Sequence, residues 1–286
     1  MKTGKAWALV LMGGGARGLA HVGVIRVLEK NGLFPDVVAG TSMGGLIGGL
    51  FAAGVSAKRM TEMIGGMDLD GAAGRPAGRR LFKRSRNLFE HVMLSDYRNR
   101  VFTRMGLEKE DAVQAYIKRY VGNVLIEDLP VKFLCNAVDL VSGKEVLFTK
   151  GRLYRAMRAT MSLPVAFEPV RERRRLLVDG GVLNSAPVEA ARAAGAEVTV
   201  LVDIHRPLKR MPPEKIKSAF QIVQRTVEVA AAASFEERAR QADFVLRVPV
   251  DQGVLQFMKP EPIVRKGERV ATAELEALKK AIGAYR

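Results

Sequence analysis

Five residues near the start of the chain have the types and the spacing of a nucleophile-bearing turn. Gly40-Thr41-Ser42-Met43-Gly44 fits the pattern G-x-S-x-G and lies between a short apolar run and a helix-like segment. Such a turn places a serine at a sharp strand-to-helix junction, where flanking glycines remove side chains that would clash. Ser42 would stand at a helix N-terminus, where backbone N–H groups and the helix dipole favour a developing negative charge. The pattern predicts a serine nucleophile at Ser42.

A second glycine-rich segment precedes this turn. Gly13-Gly14-Gly15-Ala16-Arg17-Gly18 follows the apolar run 6–12 and satisfies the G-x-G-x-x-G pattern of dinucleotide-binding proteins. That alternative requires an acidic residue near the carboxyl end of the second strand, to bind a ribose hydroxyl. Asp36 stands instead at the amino end of the predicted strand 36–39. The dinucleotide alternative is therefore disfavoured, and no cofactor is expected.

The base that would activate Ser42 has two candidates. Ser42, Asp179 and His205 could fill the Ser–Asp–His order of the α/β-hydrolases, but that fold places several strands before its nucleophile turn and this chain has room for two. Asp179 stands at the end of an apolar strand and enters the glycine turn Asp179-Gly180-Gly181. We expect Asp179 to be the base, with His205 a solvated loop residue and His21 a packing or polar surface residue of the first helix.

Together these motifs resemble the patatin-like phospholipases over nearly the whole chain. Residues 13–18 are similar to the G-G-G-x-R-G loop of that family, residues 40–44 to its G-T-S-x-G turn, and residues 179–181 to its D-G-G motif. Residues 159–164 resemble its A-S-x-x-x-P segment, with Thr160 in place of the usual serine.

The resemblance implies a catalytic dyad in which Ser42 attacks an ester carbonyl and Asp179 accepts its proton. An unperturbed aspartate has a pKa of about 3.9 and is a weak base at neutral pH, so we expect a largely apolar cleft that raises it. The family's oxyanion hole would use backbone N–H groups of Gly13, Gly14, Gly15 and Met43. Residues that support the motifs would be Arg17, Gly18, Gly40, Gly44, Gly180 and Gly181. No metal is expected.

The elements that must position these residues follow an alternation of apolar runs and helical patterns. Such alternation is typical of an α/β fold, a mainly parallel sheet between helices. The predicted strands are 6–12, 36–39, 131–139, 176–178, 198–203 and 244–248. The predicted helices are 18–30, 43–53, 153–160, 187–194, 213–241 and 272–284. We expect one patatin-like domain over 1–286, with 65–104 as a mobile lid or membrane-contact segment.

The charge of the chain is strongly positive and unevenly placed. Its 286 residues carry 46 Lys and Arg against 30 Asp and Glu, a formal net charge of +16. Residues 75–104 carry a net +7 and residues 151–175 a net +5. Clustered positive charge indicates an anionic partner, and we expect peripheral contact with an anionic membrane surface. Nucleic acid is disfavoured because aromatic residues make up 6% of the chain and no nucleic-acid module is recognisable.

Composition also excludes several classes of protein and site. A single cysteine, Cys135, excludes an internal disulfide, and three scattered histidines disfavour a zinc site. The N-terminal apolar run of seven residues, 6–12, ends in glycines, so neither an export signal nor a membrane-spanning helix is predicted. We therefore expect a cytoplasmic protein, peripheral at the membrane, that hydrolyses acyl-ester lipids such as phospholipids. The alternative is a non-catalytic regulatory protein that keeps the fold; the sequence does not indicate the oligomeric state.

Overall fold

The predicted α/β fold is confirmed by a mixed, mostly parallel sheet with helices around it. The computed structural model describes residues 4–66, 106–108, 110–206, 208, 210–217, 219–251 and 260–283. The basic segment 75–104, and all but the first two residues of the expected lid 65–104, lie outside the described residues.

Ten strands lie within the described residues, because short runs rich in valine and leucine favour extended backbone. They are β1 (Trp7–Leu11), β2 (Val37–Gly40), β3 (Gly106–Glu108), β4 (Lys132–Asp139), β5 (Lys144–Phe148), β6 (Val165–Phe167), β7 (Val170–Glu172), β8 (Arg175–Asp179), β9 (Val198–Asp203) and β10 (Phe244–Arg247). The described helices are α1 (Ala20–Lys30), α2 (Met43–Ala52), α3 (Ala57–Gly66), α4 (Glu110–Val121), α5 (Leu153–Thr160), α6 (Val188–Ala193), α7 (Ala219–Ala239), α8 (Pro260–Ala273) and α9 (Leu275–Ala281).

The main sheet has the strand order β10-β9-β1-β2-β4-β8-β7, and β5 pairs with the other edge of β4. The strands from β10 to β4 in this order are mutually parallel, whereas β5 and β8 run antiparallel to β4. The separate pair β3 and β6 is parallel. Strands β1, β2 and β9 are buried along their whole length, so their sequences are continuous apolar runs without alternation.

Strands β2 and β8 meet end to end along one edge of β4. Cys135 of β4 pairs with both Gly40 of β2 and Phe148 of β5, so β2 and β5 lie on opposite edges of β4. Ala137 of β4 pairs with Val146 of β5 on one edge and with Asp179 of β8 on the other. β8 therefore lies on the same edge of β4 as β2. Since β2 is parallel and β8 antiparallel to β4, their carboxyl ends point at each other. The register thereby brings the residues after Gly40 to Asp179.

Helix α1 packs closely against α8 on one face of the sheet. A Cβ atom on Gly23 would collide with the backbone of Val264, and one on Gly267 with the backbone of Ala20. Arg26 of α1 also donates to Glu268 of α8 at 2.9 Å. Glycine at both positions lets the two helix backbones approach each other.

The sequence predictions match six of the ten described strands, namely β1, β2, β4, β8, β9 and β10, and differ at several other elements. The helix expected over 213–241 begins at Ala219, after a separate 3₁₀ turn over Pro213–Lys215. The helix expected over 272–284 corresponds to α9, Leu275–Ala281. The longer helix α8 before it was not predicted; it begins at Pro260, and proline is favoured at the first position of a helix. Strands β3, β5, β6 and β7 and helices α3 and α4 were not predicted.

Candidate active site

Ser42 lies at the turn between β2 and α2 with a strained backbone. Its φ of 54° and ψ of −125° are an uncommon conformation for a residue with a side chain. The turn is closed so tightly that a Cβ atom on Gly40 would collide with the Gly44 backbone, and one on Gly44 with the Leu11 backbone. The two glycines of the pattern therefore have a steric reason, and the turn places Ser42 at the carboxyl end of the interior strand β2.

The Ser42 hydroxyl group contacts the carboxylate of Asp179. Ser42 Oγ donates a hydrogen bond to Asp179 Oδ2 at 2.6 Å, and the Gly181 N–H donates to Asp179 Oδ1 at 2.8 Å. Asp179 is only 2% exposed, and this burial raises its pKa from 3.8 to about 6, against the opposing effect of the two hydrogen bonds. The arrangement gives a carboxylate that is more basic than a solvated aspartate and in contact with a serine hydroxyl.

The carboxyl end of α5 contacts the backbone of both residues. Thr160 Oγ1 accepts a hydrogen bond from the Ser42 N–H at 2.9 Å, and the Ser162 carbonyl oxygen accepts one from the Asp179 N–H at 3.0 Å. The fully buried Arg158 side chain donates to Ser162 Oγ and, at 2.9 Å, to the Glu168 carbonyl oxygen. In the sequence, this segment carried only a resemblance to the family's A-S-x-x-x-P segment, and its contacts with the site were not predicted.

A buried polar network joins the Ser42 turn to the turn after β8. Thr41 Oγ1 donates to Asn136 Oδ1 at 2.8 Å, and Asn136 Nδ2 donates to Glu145 Oε1 at 2.6 Å and to the Asn184 carbonyl oxygen at 2.8 Å. A Cβ atom on Gly180 would collide with the Asn136 side chain, so this glycine is required by close approach. Asn136 thus contacts both turns, and it was not identified from the sequence.

The glycine-rich loop lies beside Ser42 and presents backbone N–H groups. The Gly13 N–H donates to the Ser185 carbonyl oxygen at 2.9 Å and is therefore engaged. Within the described residues, no acceptor is recorded for the N–H groups of Gly14 and Gly15. Met43 is the first residue of α2, where a backbone N–H has no acceptor within the helix. Among the described residues, these three N–H groups therefore have no hydrogen-bond acceptor.

Arg17 stabilises the shape of this loop. Both its backbone N–H and its side-chain Nε lie 3.3 Å from the Gly14 carbonyl oxygen and donate to it. Burial and the neighbouring Arg206 guanidinium lower the pKa of Arg17, while the nearby Asp203 carboxylate opposes this shift. Gly18 packs so closely on Met43 that a Cβ atom would collide with its side chain. The two residues therefore fix the loop against the start of α2.

Neither described histidine in the neighbourhood contacts the Ser42–Asp179 pair. His21 is fully buried, its Nε2 lies 2.9 Å from the Met12 carbonyl oxygen, and burial lowers its pKa to about 4. His205 stacks on Phe235 with ring centroids 4.8 Å apart, and burial lowers its pKa as well. In the described part of the chain, His205 makes no hydrogen bond to Ser42 or Asp179.

The described residues contain no group of three His, Cys, Asp or Glu side chains that could hold a metal ion. Cys135 is buried in the core, and burial raises the pKa of its thiol. Within the same residues, no helix is both long enough and apolar enough to cross a membrane.

The sequence of the chain is similar to those of known proteins. Residues 9–192 match the family described as patatin-like phospholipase. The chain is 32% identical over 299 residues to lysophospholipase NTE1 of Mycosarcoma maydis, covering 96% of this chain and 15% of that protein. It is 29% identical over 302 residues to an uncharacterized NTE family protein of Mycobacterium bovis, covering 96% of this chain and 47% of that protein. The chain thus spans less than half the length of these curated relatives.

The fold is also similar to solved structures. The crystal structure of VipD from Legionella pneumophila superposes with a TM-score of 0.55 at 12% sequence identity. The match covers 96% of this chain and 67% of that one. At this identity the likeness describes the fold alone.

Proposed function

The chain belongs to the patatin-like phospholipase family, and we propose that it is a serine hydrolase that cleaves carboxylic esters of lipids through Ser42 and Asp179. The family and its lysophospholipase relatives support lipid acyl hydrolase activity. The observation that carries the assignment of the dyad is the 2.6 Å contact between Ser42 Oγ and Asp179 Oδ2, side chains 137 residues apart in sequence. A contact of this length lets a proton pass from hydroxyl to carboxylate as the oxygen attacks.

In the proposed mechanism, Asp179 accepts the Ser42 proton while Ser42 Oγ forms a bond to the ester carbonyl carbon. The tetrahedral intermediate then expels the alcohol, which receives the proton from Asp179, and leaves an acyl group on Ser42. Water next attacks the acyl carbon with Asp179 as the base, and Ser42 regains its proton as the fatty acid leaves. Because a pKa of about 6 still lies below neutral pH, Asp179 is mostly ionised there, and it is a stronger base than a solvated aspartate.

The negative charge on the tetrahedral intermediate would be stabilised by backbone N–H groups of Gly14, Gly15 and Met43. One such donor typically contributes about 3 kcal/mol to transition-state stabilisation. Gly13 was also expected to donate, but its N–H is engaged by the Ser185 carbonyl oxygen, so we assign Gly13 to anchoring the loop. Arg17, which donates twice to the Gly14 carbonyl oxygen, would keep the remaining donors directed toward the intermediate.

The substrate class we propose is a phospholipid with a single acyl chain. One relative carries the name lysophospholipase, and 96% of this chain aligns with it. Extracting an acyl chain from a bilayer costs about 0.8 kcal/mol for each methylene group, so a one-chain lipid enters a buried site more readily than a two-chain lipid. The expected lid over 65–104 and the expected single domain over 1–286 stay predictions.

The proposal is tested with the purified chain beside Ser42→Ala, Asp179→Asn and His205→Gln, each first checked for thermal stability. Hydrolysis of a short-chain chromogenic ester and of a lysophospholipid is measured. We expect turnover by the wild type and by His205→Gln, and a loss of roughly a thousandfold or more in the other two.

Two outcomes would overturn parts of the proposal. If Asp179→Asn keeps its activity while Ser42→Ala loses it, Asp179 is not the base, and the histidine alternative returns. If the wild type turns over neither substrate, the chain is not an ester hydrolase of this kind, and a regulatory protein that keeps the fold becomes the better interpretation.

A further inference from the structure

Two hairpin tips expose an unusual combination of side chains. The tip between β4 and β5 carries Leu140 and Val141, which are 53% and 69% exposed. The tip between β7 and β8 carries Arg173 and Arg174, both exposed, and Arg175 beside them is exposed as well. Hairpin turns usually carry glycine, asparagine, aspartate or serine, so two adjacent aliphatic residues are not explained by the needs of a turn.

The two tips lie side by side. The Leu140 N–H donates to the Leu176 carbonyl oxygen at 2.9 Å, and the Leu176 N–H donates to Asp139 Oδ1 at 3.1 Å. The aliphatic residues of one hairpin therefore adjoin the arginines of the other, and together residues 140–141 and 173–175 are called the tip surface below.

The tip surface projects past the Ser42–Asp179 pair at the same end of the sheet. β4 is parallel to β1 and β2, whose carboxyl ends carry the glycine-rich loop and the Ser42 turn, and the β4–β5 tip follows the carboxyl end of β4. Asp179 pairs with Ala137, and β8 runs from there to Arg175 beyond the end of β4. Four residues of strand span about 13 Å, so the tip surface lies about that far beyond the dyad.

The β4–β5 tip is held in a defined shape. Asp139 Oδ1 accepts from the Val141 N–H at 3.1 Å, and Asp139 Oδ2 accepts from the Ser142 hydroxyl group at 2.7 Å. The hydrogen bond from Ser142, reinforced by those from backbone N–H groups, lowers the pKa of Asp139. Leu140 and Val141 are therefore exposed on a turn whose conformation is held by hydrogen bonds to Asp139.

The charge of the tip surface is unbalanced. Across the part of the chain that the structure describes, Arg173, Arg174 and Arg175 take part in no ion pair, and they belong to the segment 151–175 with its net charge of +5. Aliphatic side chains beside unpaired arginines match a surface that offers anionic groups above an apolar layer. Negatively charged lipid leaflets have this chemistry, and each arginine near one contributes about 1 kcal/mol.

We propose that the tip surface docks the protein on an anionic lipid surface, with Leu140 and Val141 entering the headgroup region and Arg173, Arg174 and Arg175 binding phosphate groups. This inference rests on the proposed function in one respect: the anionic lipid surface would contain the lipid that the enzyme hydrolyses. It assigns membrane contact to described hairpins, in addition to the segment 75–104 expected from the sequence.

The test measures binding to vesicles by sedimentation, with all variants built on Ser42→Ala so that the lipids stay intact. Vesicles of phosphatidylglycerol and phosphatidylcholine are compared with vesicles of phosphatidylcholine alone. The variants are Arg173→Gln/Arg174→Gln and Leu140→Ser/Val141→Ser. Each has a matched control at the opposite end of the sheet: Lys58→Gln/Arg59→Gln removes the same charge from the exposed start of α3, and Phe34→Ser removes a side chain that is 55% exposed before β2.

We expect the arginine pair to weaken binding to anionic vesicles roughly thirtyfold at low salt, and the aliphatic pair roughly tenfold, with both controls close to the parent. Equal weakening by Arg173→Gln/Arg174→Gln and Lys58→Gln/Arg59→Gln would mean that net charge alone acts, and would overturn the proposal. Binding to polyglutamate as tight as to anionic vesicles, with no loss in the aliphatic variant, would indicate an acidic protein partner and would also overturn it.

The proposed function can fail separately. In the chain with Ser42 intact, hydrolysis of a soluble short-chain ester reports on the dyad, whereas vesicle binding by the Ser42→Ala variants does not depend on turnover. We expect the tip variants to hydrolyse the soluble ester at the parental rate, and a lysophospholipid carried in the anionic vesicles more slowly. Equal rates on this vesicle-borne lysophospholipid for the tip variants and the parent, with the parent active on it, would contradict docking by this surface.

Discussion

Thr160 Oγ1 accepts a hydrogen bond from the Ser42 N–H at 2.9 Å, across 118 residues of sequence. The bond holds the backbone of Ser42, whose φ of 54° is unfavourable for any residue other than glycine. The methyl group of Thr160 lies against Gly45, where a Cβ atom would come within 2.7 Å of it. Thr160 therefore has two separable contacts with the Ser42 turn, a hydroxyl contact with Ser42 and a methyl contact with Gly45.

Replacing Thr160 separates these two contacts. Thr160→Val keeps the shape but leaves the Ser42 N–H without its acceptor, which costs about 1–3 kcal/mol. Since the bond positions the nucleophile, we expect kcat for a short-chain ester to fall roughly ten- to a hundredfold, with KM nearly unchanged. Thr160→Ser keeps the hydroxyl group and removes only a methyl, so its kcat should stay within about threefold of the wild type. A Thr160→Val protein with wild-type kcat would show that Thr160 does not position Ser42.

The raised pKa of Asp179 predicts the pH dependence of activity. The base must be ionised to accept the Ser42 proton, and burial raises its pKa to about 6 in the free protein. We expect log kcat/KM to fall with unit slope below about pH 6 and to level off above it. The measurement is a pH series from 4.5 to 8 on a neutral ester whose own chemistry does not titrate. An inflection near 4 would mean that the site leaves Asp179 as a solvated carboxylate.

The same burial predicts how the folding stability of Asp179→Asn compares with that of the wild type. Because the folded pKa of Asp179 lies above its unfolded value of 3.8, the folded wild type binds more protons and its stability falls as pH rises from about 4 through about 6. The asparagine variant does not titrate there. We compare the free energies of unfolding of Asp179→Asn and the wild type. We expect the value of the variant minus that of the wild type to increase by up to ~3 kcal/mol from pH 4 to pH 7. Denaturant unfolding at both pH values measures it, and a constant difference would contradict it.

The site residues that the sequence predicted are those whose local spacing carries the chemistry. The Ser42 turn and the Asp179 turn were both identified. Each contains glycines where a Cβ atom would collide with neighbouring atoms, and such glycines are visible in the sequence as a local pattern. Thr160 and Asn136 were not assigned a role, because their hydrogen bonds to Ser42 and Thr41 join residues about a hundred positions apart in sequence. The pairing of β2 with β4 brings Asn136 to Thr41, and the end of α5 brings Thr160 to Ser42. No local sequence pattern encodes either contact.

The same distinction applies to the fold. Strands such as β1 and β9 are buried on both faces, and their continuous apolar runs were predictable. Strand β5 has mostly exposed or half-buried residues, Lys144–Phe148, and β7 has three residues, so neither has an apolar run that could be recognised. Yet β5 fixes β2 and β8 on one edge of β4 and so determines that Ser42 faces Asp179.

Asn136 offers a last prediction, because its side-chain amide bridges the two turns by donating as well as accepting. Its Nδ2 donates to Glu145 Oε1 and to the Asn184 carbonyl oxygen, while its Oδ1 accepts from Thr41. Asn136→Asp keeps the shape but places an ionised carboxylate beside the Glu145 carboxylate and a carbonyl oxygen. We expect it to lower the free energy of unfolding at pH 7 by about 3 kcal/mol and to slow ester hydrolysis.

The loss in Asn136→Asp should shrink as pH falls. Repulsion and desolvation raise the folded pKa of the introduced carboxyl group, and its protonated form again donates a hydrogen bond, so the deficit relative to the wild type should decrease between pH 7 and pH 5. Adding Glu145→Gln to Asn136→Asp removes the facing charge and should recover part of the deficit at pH 7, which a double-mutant cycle measures by denaturant unfolding. A deficit that is independent of both pH and Glu145 would mean that Asn136 acts by packing alone, and that the hydrogen-bond network does not couple the Ser42 turn to the Asp179 turn.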